Sequence, residues 1–182
     1  MSTFNGVEYR QVHGGRGDTG AGADDKERQG SWLMEVSSGA RISRGLSMAH
    51  SPRWHDGRLW LLESGTGQLV IVDPANGRRQ RVAELPGFAR GLALSGPYAF
   101  VGLSKIRKTS AMDGVPLAQR REQLKCGVAV VDLRSGQVIA VLEFQTAVEE
   151  IFDVQLLPGL RFPEVIGFQQ ETIQNTFVIP PQ

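Results

Sequence analysis

His50, Ser51 and Arg53 are three polar residues within a segment, 46–54, that otherwise has the pattern of a buried strand. A neutral imidazole can serve as a general base or as a metal ligand. A guanidinium can hold an anionic group through two parallel hydrogen bonds. Polar residues on a buried strand are unexpected unless they face a solvated site, so these three residues predict a place where a ligand binds.

Two later segments add charged residues at corresponding places. The sequence predicts recurring units of strands, and each unit begins with a strand like 46–54. Arg90 lies on the first strand of the next unit, and Glu150 and Asp153 lie on the first strand of the last unit. Lys105 and Arg107 follow another strand and would place cations at the rim of the same site. The sequence assigns no catalytic residues, and the predicted binding site comprises His50, Ser51, Arg53, Arg90, Lys105, Arg107, Glu150 and Asp153.

Two other interpretations of these residues stay open. Arg90 and Glu150 can pair across neighbouring units and simply hold them together. Alternatively, His50, Glu150 and Asp153 can surround one divalent metal ion, although one histidine with two carboxylates lacks the spacing of strong metal motifs. The single cysteine, Cys126, precedes an apolar run and is expected to be a small buried thiol.

The elements that must position these residues follow a pattern that occurs three times, in 33–39, 71–77 and 130–136. Each copy has two apolar residues, an acid, three turn-forming residues and a glycine. The acids Asp73 and Asp132 are expected to fix turns, because an aspartate can accept hydrogen bonds from backbone N–H groups two or three residues on. The unit indicates strand, turn and strand, and its recurrence is typical of repeat architectures.

These units predict an all-β fold, a β-propeller-like array of about three and a half four-stranded blades. The chain would be a single domain. It would consist of a partial blade (5–46), a blade (47–87), a blade with an insertion (88–146) and a terminal partial blade (147–182). The first strand of each blade would line a channel, and the predicted site would lie at the channel mouth. Because closed propellers usually hold at least about four blades, three explanations stay open: a missing N-terminal half completes the ring, self-association completes it, or the chain forms a compact four-bladed ring.

Two segments depart from the strand pattern. Residues 13–30 are rich in glycine and aspartate and nearly lack apolar residues, which predicts a mobile loop. Residues 105–125 form an insertion that contains good helix formers behind Pro116, which predicts a helical insertion. Long insertions in repeat folds often emerge on the binding face.

Composition excludes several classes of function. The 182 residues carry a formal net charge of +1, and no basic stripe with interleaved aromatic residues predicts nucleic-acid binding. No apolar run approaches the length of about 20 residues that crosses a bilayer, and the start lacks a secretory pattern. We therefore expect a cytoplasmic protein with neither nucleic-acid nor membrane partners.

Three stretches of the sequence resemble an uncharacterised bacterial family of propeller-like conserved hypothetical proteins. They are 45–67, which surrounds His50, 91–107 and 150–155. The resemblance runs from about residue 30 to the end, and this chain is similar to the C-terminal half of the family members, some of which are joined to tetratricopeptide repeats. Ala49 stands where family members have proline. The resemblance implies a fold and carries no activity with it.

The preferred functional interpretation is a non-catalytic binding module. The channel mouth and the 105–125 insertion would receive a protein, peptide or small-molecule ligand, without a cofactor. The alternative is a metal-dependent hydrolase or lactonase of the six-bladed propeller type, with one divalent ion at His50, Glu150 and Asp153. The alternative needs ligands from several blades, which half of a ring cannot supply.

Overall fold

The computed structural model describes residues 2–4, 7–13, 30–106 and 114–161. Within these ranges the chain forms twelve β-strands and one 3-10 helix. The strands make three antiparallel sheets, and each sheet contains four strands that follow one another along the chain. The prediction of an all-β protein is confirmed.

Each sheet is a simple meander in which every strand pairs with its neighbours in sequence. The first sheet comprises β1 (Ser2–Phe4), β2 (Val7–His13), β3 (Ser31–Glu35) and β4 (Arg41–Leu46). The second sheet comprises β5 (Ala49–His55), β6 (Arg58–Glu63), β7 (Gln68–Val72) and β8 (Arg79–Glu84). The third sheet comprises β9 (Phe88–Ser95), β10 (Tyr98–Ser104), β11 (Gly127–Asp132) and β12 (Gln137–Glu143).

The recurring acids fix turns, as predicted. After β7, the Asp73 carboxylate accepts a hydrogen bond from the backbone N–H of Ala75 at 2.9 Å. After β11, the Asp132 carboxylate accepts the corresponding bond from Arg134, also at 2.9 Å. These local bonds satisfy backbone donors that the strand ladder leaves unpaired, and they explain why an acid recurs at this place.

The middle sheet is buried on both faces, and β6 shows why. Successive side chains of a strand point to opposite faces. Leu59 and Leu61 pack into a core shared with the first sheet, whereas Trp60 and Leu62 pack into a core shared with the third. A strand covered on both sides has to be apolar at nearly every position, and that is the composition of β6.

The prediction of a β-propeller-like array is wrong. The second sheet contacts the first through β2 and β5 and contacts the third through β5 and β9. Among the described elements, no comparable contact joins the third sheet to the first, so the sheets lie in an open row and enclose no channel. The strand-and-turn pattern predicts antiparallel meanders, but it contains no information about whether successive meanders close into a ring.

The insertion after β10 contains the 3-10 helix Pro116–Gln123, which begins at a proline. Its Leu117 is buried in a small apolar cluster with Phe88, Ile106 and Leu124. The helix therefore covers the start of β9. It is also short, and it is the one helix of the described residues, so no helix in that part of the chain could span a membrane.

The predicted terminal blade, 147–182, has no strand within its described part, 147–161. Instead, the segment 149–155 runs along the third sheet. The backbone N–H of Lys105 donates to the carbonyl of Glu149 at 2.9 Å, and the N–H of Ile151 donates to Oγ of Ser104 at 2.8 Å. The remainder of that predicted blade, 162–182, and residues 14–29 of the predicted mobile loop lie outside the described residues.

Gly91 allows the 149–155 segment to come this close. Its φ of 75° lies in the left-handed region, which side chains disfavour. A β-carbon at this position would lie 2.5 Å from Cα of Asp153. Backbone of the segment therefore occupies the space that any other residue would need for its side chain.

We predict that Gly91→Ala destabilises the fold more than Gly39→Ala does. Gly39 is a matched control, because its φ is 70° and nothing lies within 4 Å of the position that a β-carbon would take there. In the control the free energy of unfolding should fall by about 1–2 kcal/mol, because alanine disfavours the left-handed conformation. In Gly91→Ala it should fall by roughly 1–3 kcal/mol more, because the added β-carbon overpacks the site. Urea unfolding at fixed pH measures both, and equal losses would show that the segment is not docked on Gly91.

Candidate functional site

Side chains from all three sheets lie around the start of β5, which contacts β2 of the first sheet and β9 of the third. His13 ends β2 in the first sheet, His50 lies near the start of β5 in the second, and Arg90 lies near the start of β9 in the third. The imidazole rings of His13 and His50 are 5.1 Å apart between centroids and tilted by 50°. We call His13, His50 and Arg90 the histidine–arginine cluster.

His50 is held in a largely apolar setting. Its ring meets the edge of the Phe88 ring at 6.2 Å, and Phe88 is only 2% exposed. Burial, followed by the positive charge of Arg90 and then by His13, lowers the pKa of His50 to about 4. At neutral pH the imidazole is therefore uncharged, with one nitrogen that donates and one that accepts.

His13 is more exposed than His50, so its ring is only partly shielded from water. Burial and then the charge of Arg90 lower its pKa below the ordinary value. One ring nitrogen, Nδ1, lies 2.8 Å from Oγ of Ser31 on the neighbouring strand. Both histidines are therefore neutral at pH 7, and Arg90 supplies the positive charge of the cluster.

Arg90 is oriented by an aromatic ring. Its guanidinium carbon lies 4.8 Å from the centroid of Phe152, which belongs to the 149–155 segment and is 65% exposed. Such stacking leaves the N–H edge of a guanidinium available for hydrogen bonds. Among the described residues, no carboxylate, including that of Glu150, forms an ion pair with Arg90.

Ser51, Arg53 and Asp153 lie beside the cluster and connect backbone elements to one another. Oγ of Ser51 accepts a hydrogen bond from the N–H of Gly91 at 3.2 Å, which ties β5 to β9. Nη2 of Arg53 lies 3.7 Å from Oδ1 of Asp153, and the two side chains are 28% and 52% exposed. An ion pair this long and this exposed stabilises little by itself.

The other predicted residues do not perturb the cluster. The charges of Lys105 and Glu150 act on the buried thiol of Cys126, whose pKa is raised chiefly by burial, and neither charge contributes to the shift of His50. Arg107 lies outside the described residues. The structure thus brings His50 and Arg90 together, places Ser51, Arg53 and Asp153 beside them, and adds His13.

The set proposed for the metal-dependent alternative is not gathered. Among the described residues, no three His, Cys, Asp or Glu side chains are grouped so that they could hold a metal ion. The guanidinium of Arg90, whose charge acts on both imidazoles, would also repel a cation at this place. The same charge favours an anion.

His13 was missed because the sequence places it at the start of a loop. The signal that could have found it is the period of two in β2. Tyr9 and His13 are four residues apart and point to the same face of the strand. Tyr9 stacks on Trp54 of β5, with centroids 6.3 Å apart and planes at 14°, so this face of β2 is the one directed at β5.

The lowered pKa of His50 predicts how stability depends on pH. An unfolded histidine titrates near pH 6.5, whereas folded His50 titrates at about pH 4. Between these values the unfolded chain binds the additional proton, so stability falls as the pH is lowered through this range. His50→Gln should remove this contribution, with a slope of at most about 1.4 kcal/mol per pH unit.

Urea unfolding between pH 7 and pH 4 measures that slope for the wild type and for His50→Gln. Arg81→Gln on β8 is the control, because Arg81 is exposed and should keep the wild-type pH dependence. Parallel curves for the wild type and His50→Gln would contradict the half-buried, neutral imidazole.

Comparison with known proteins identifies a family without supplying an activity. No curated protein is detectably similar in sequence. A solved structure described as the crystal structure of the computationally designed Ika4 protein is similar, with 15% sequence identity and a TM-score of 0.42, over 70% of this chain and 68% of that chain. A likeness this weak says nothing about function. The family model described as "Domain of unknown function (DUF4915)" matches residues 4–166, and the chain therefore belongs to this uncharacterised family.

Proposed function

We propose that this chain is a non-catalytic binding module that holds an anionic group of a ligand or partner protein at the histidine–arginine cluster. The proposal rests on the surroundings of the Arg90 guanidinium. Its guanidinium stacks on Phe152, acts on two neutral imidazoles and pairs with no carboxylate among the described residues.

The electrostatics of the cluster favour an oxyanion over a cation. A guanidinium edge matches a carboxylate or phosphate group and can bind it bidentately. A neutral imidazole can add one N–H donor, and an approaching anion makes the protonated form of the imidazole less costly. Anion binding should therefore raise the pKa of His50 from its low value, which makes the interaction observable.

The 105–125 insertion is part of this proposal. Its buried Leu117 packs in one cluster with Phe88, and Phe88 contacts the His50 ring. The helix therefore supports the wall behind His50. We infer that a larger ligand or a partner protein would contact the exposed side of the insertion as well.

The metal-dependent hydrolase has no such support. The described residues contain no grouped set of metal-binding side chains, and Arg90 supplies a positive charge where the metal would have to lie. The binding module needs only residues that the structure places together.

Phosphate binding tests the proposal. The probe is inorganic phosphate, titrated at constant ionic strength against chloride while the imidazole resonances of His13 and His50 are followed by NMR. Phosphate should shift both resonances and raise the His50 pKa, because the anion stabilises the protonated ring. At 100 times its dissociation constant it should also stabilise the folded state by about 2.7 kcal/mol.

Arg90→Gln should abolish the phosphate effect, while Arg53→Gln should keep it, since Arg53 pairs with Asp153. Arg90→Lys should retain part of it, because a lysine keeps the charge and loses the bidentate geometry. Phosphate binding that is unchanged in Arg90→Gln, or absent from the wild type, would contradict the proposed site.

A further inference from the structure

A cavity lies at the opposite end of β5 from the histidine–arginine cluster. It is an open pocket of about 700 Å³ whose lining comes from three hairpin turns, those that join β5 to β6, β9 to β10 and β11 to β12. His55, at its edge, is five residues from His50 along β5. At a rise of roughly 3.3 Å per residue the two sites are about 16 Å apart along the strand.

Hydrogen bonds join these three turns to one another. Nε2 of His55 lies 2.8 Å from the carbonyl oxygen of Gly96, and since a carbonyl can only accept, Nε2 carries the proton. This bond joins the first hairpin to the second. The N–H of Leu133 donates to the carbonyl of Pro97 at 2.9 Å, which joins the third hairpin to the second. The walls of the pocket are therefore preformed, as is usual for ligand sites.

The floor and one wall of the pocket are apolar. Trp60 is 2% exposed, and its indole N–H donates to the carbonyl of His55 at 3.1 Å, so the ring is fixed in place. Pro97 and Leu133 line the adjoining wall. Such a surface accepts a flat or compact apolar group, and the fixed indole loses little conformational entropy when a ligand arrives.

Two cations line the rim, and they come from different sheets. Arg58 begins β6 and Arg134 belongs to the turn after β11, and both side chains are exposed. Among the described residues neither guanidinium forms an ion pair. Asp56 is the one carboxylate of the lining, so the two arginines outweigh it and the rim is net positive.

The position of Arg134 is determined by its own turn. Its backbone N–H donates to the Asp132 carboxylate at 2.9 Å, and the neighbouring Leu133 is bonded to Pro97. Arg58 is fixed at its backbone by pairing with His55 across the β5–β6 hairpin. Both guanidiniums therefore start from rigid backbone and need to order only their side chains around a ligand.

We propose that this pocket binds a small organic oxyanion, a molecule with a carboxylate or phosphate group on a compact apolar body. The oxyanion lies between Arg58 and Arg134, each of which can bind it bidentately, and the apolar body lies against Pro97, Leu133 and the Trp60 floor. The pocket shares no residue with the histidine–arginine cluster, so it is a second site, independent of the function proposed above.

A pair of probes that differ in charge tests the proposal. The probes are 1-naphthylacetate and its neutral analogue 1-naphthylacetamide, titrated by calorimetry into the full chain with ¹⁵N-labelled tryptophan. The acid should bind saturably and shift the indole N–H resonance of Trp60. The amide should bind about tenfold more weakly or worse, because it lacks the charge that the two guanidiniums recognise.

Variants separate this pocket from other sites. Arg58→Gln together with Arg134→Gln should weaken binding of the acid by about tenfold or more, with each single variant intermediate. The matched control, Arg78→Gln together with Arg81→Gln, removes two arginines that lie outside the pocket lining and should bind as the wild type does. Arg90→Gln should also leave this binding unchanged, whatever its effect on phosphate at the cluster.

Three results would overturn the proposal. They are equal affinities for the acid and the amide, wild-type affinity in the Arg58 and Arg134 double variant, and binding of the acid that leaves the Trp60 resonance unmoved. Both arginines are exposed, and unchanged thermal unfolding of the double variant would show that a loss of binding is not a loss of fold.

Discussion

Burial of the middle sheet on both of its faces is the constraint on which the rest of the structure depends. Leu59 and Leu61 pack towards the first sheet and Trp60 and Leu62 towards the third, and each of these side chains contributes about 1.5–3 kcal/mol when fully buried. Since one strand contributes to two cores, the first and third sheets are both positioned relative to the second. β5 is thereby held between β2 and β9.

Both sites follow from the position of β5. At its start, His50 meets His13 of β2 and lies near Arg90 of β9, and burial at this junction lowers the pKa of His50 to about 4. At its end, His55 bonds to the β9–β10 turn and begins the wall of the oxyanion pocket. One strand thus places a proposed anion site at each end, and in both the positive charge comes from arginine side chains without described carboxylate partners.

Local features of the sequence predict local structure. The aspartates at 73 and 132 predict turns because their hydrogen bonds reach only two residues along the chain. The apolar flank of Cys126 predicts a buried thiol, and it is buried. His50 and Arg90 both stand near the start of the first strand of their sheets, and the charge of Arg90 acts on His50.

Features that depend on distant contacts are not predictable in the same way. The open arrangement of the sheets depends on the angles at which they pack, which no strand pattern encodes. His13 lies at the boundary between β2 and the segment that follows it. The sequence alone cannot assign it to the strand or to the loop, because its contact with β5 is not encoded locally. Gly91 is similar, since the segment that requires a glycine there, 149–155, is more than fifty residues away in sequence.

The central claim is that β2 and β9, which pack against β5 from the first and third sheets, leave a half-buried and neutral His50 beside Arg90. The measurement that tests it most directly is an NMR titration of the His50 ring in the wild-type protein, with the resonance assigned by comparison with His50→Gln. The structure predicts a pKa of about 4. A value near 6.5, the ordinary value for an exposed histidine, would contradict this packing around His50 and the proposed anion site that depends on it.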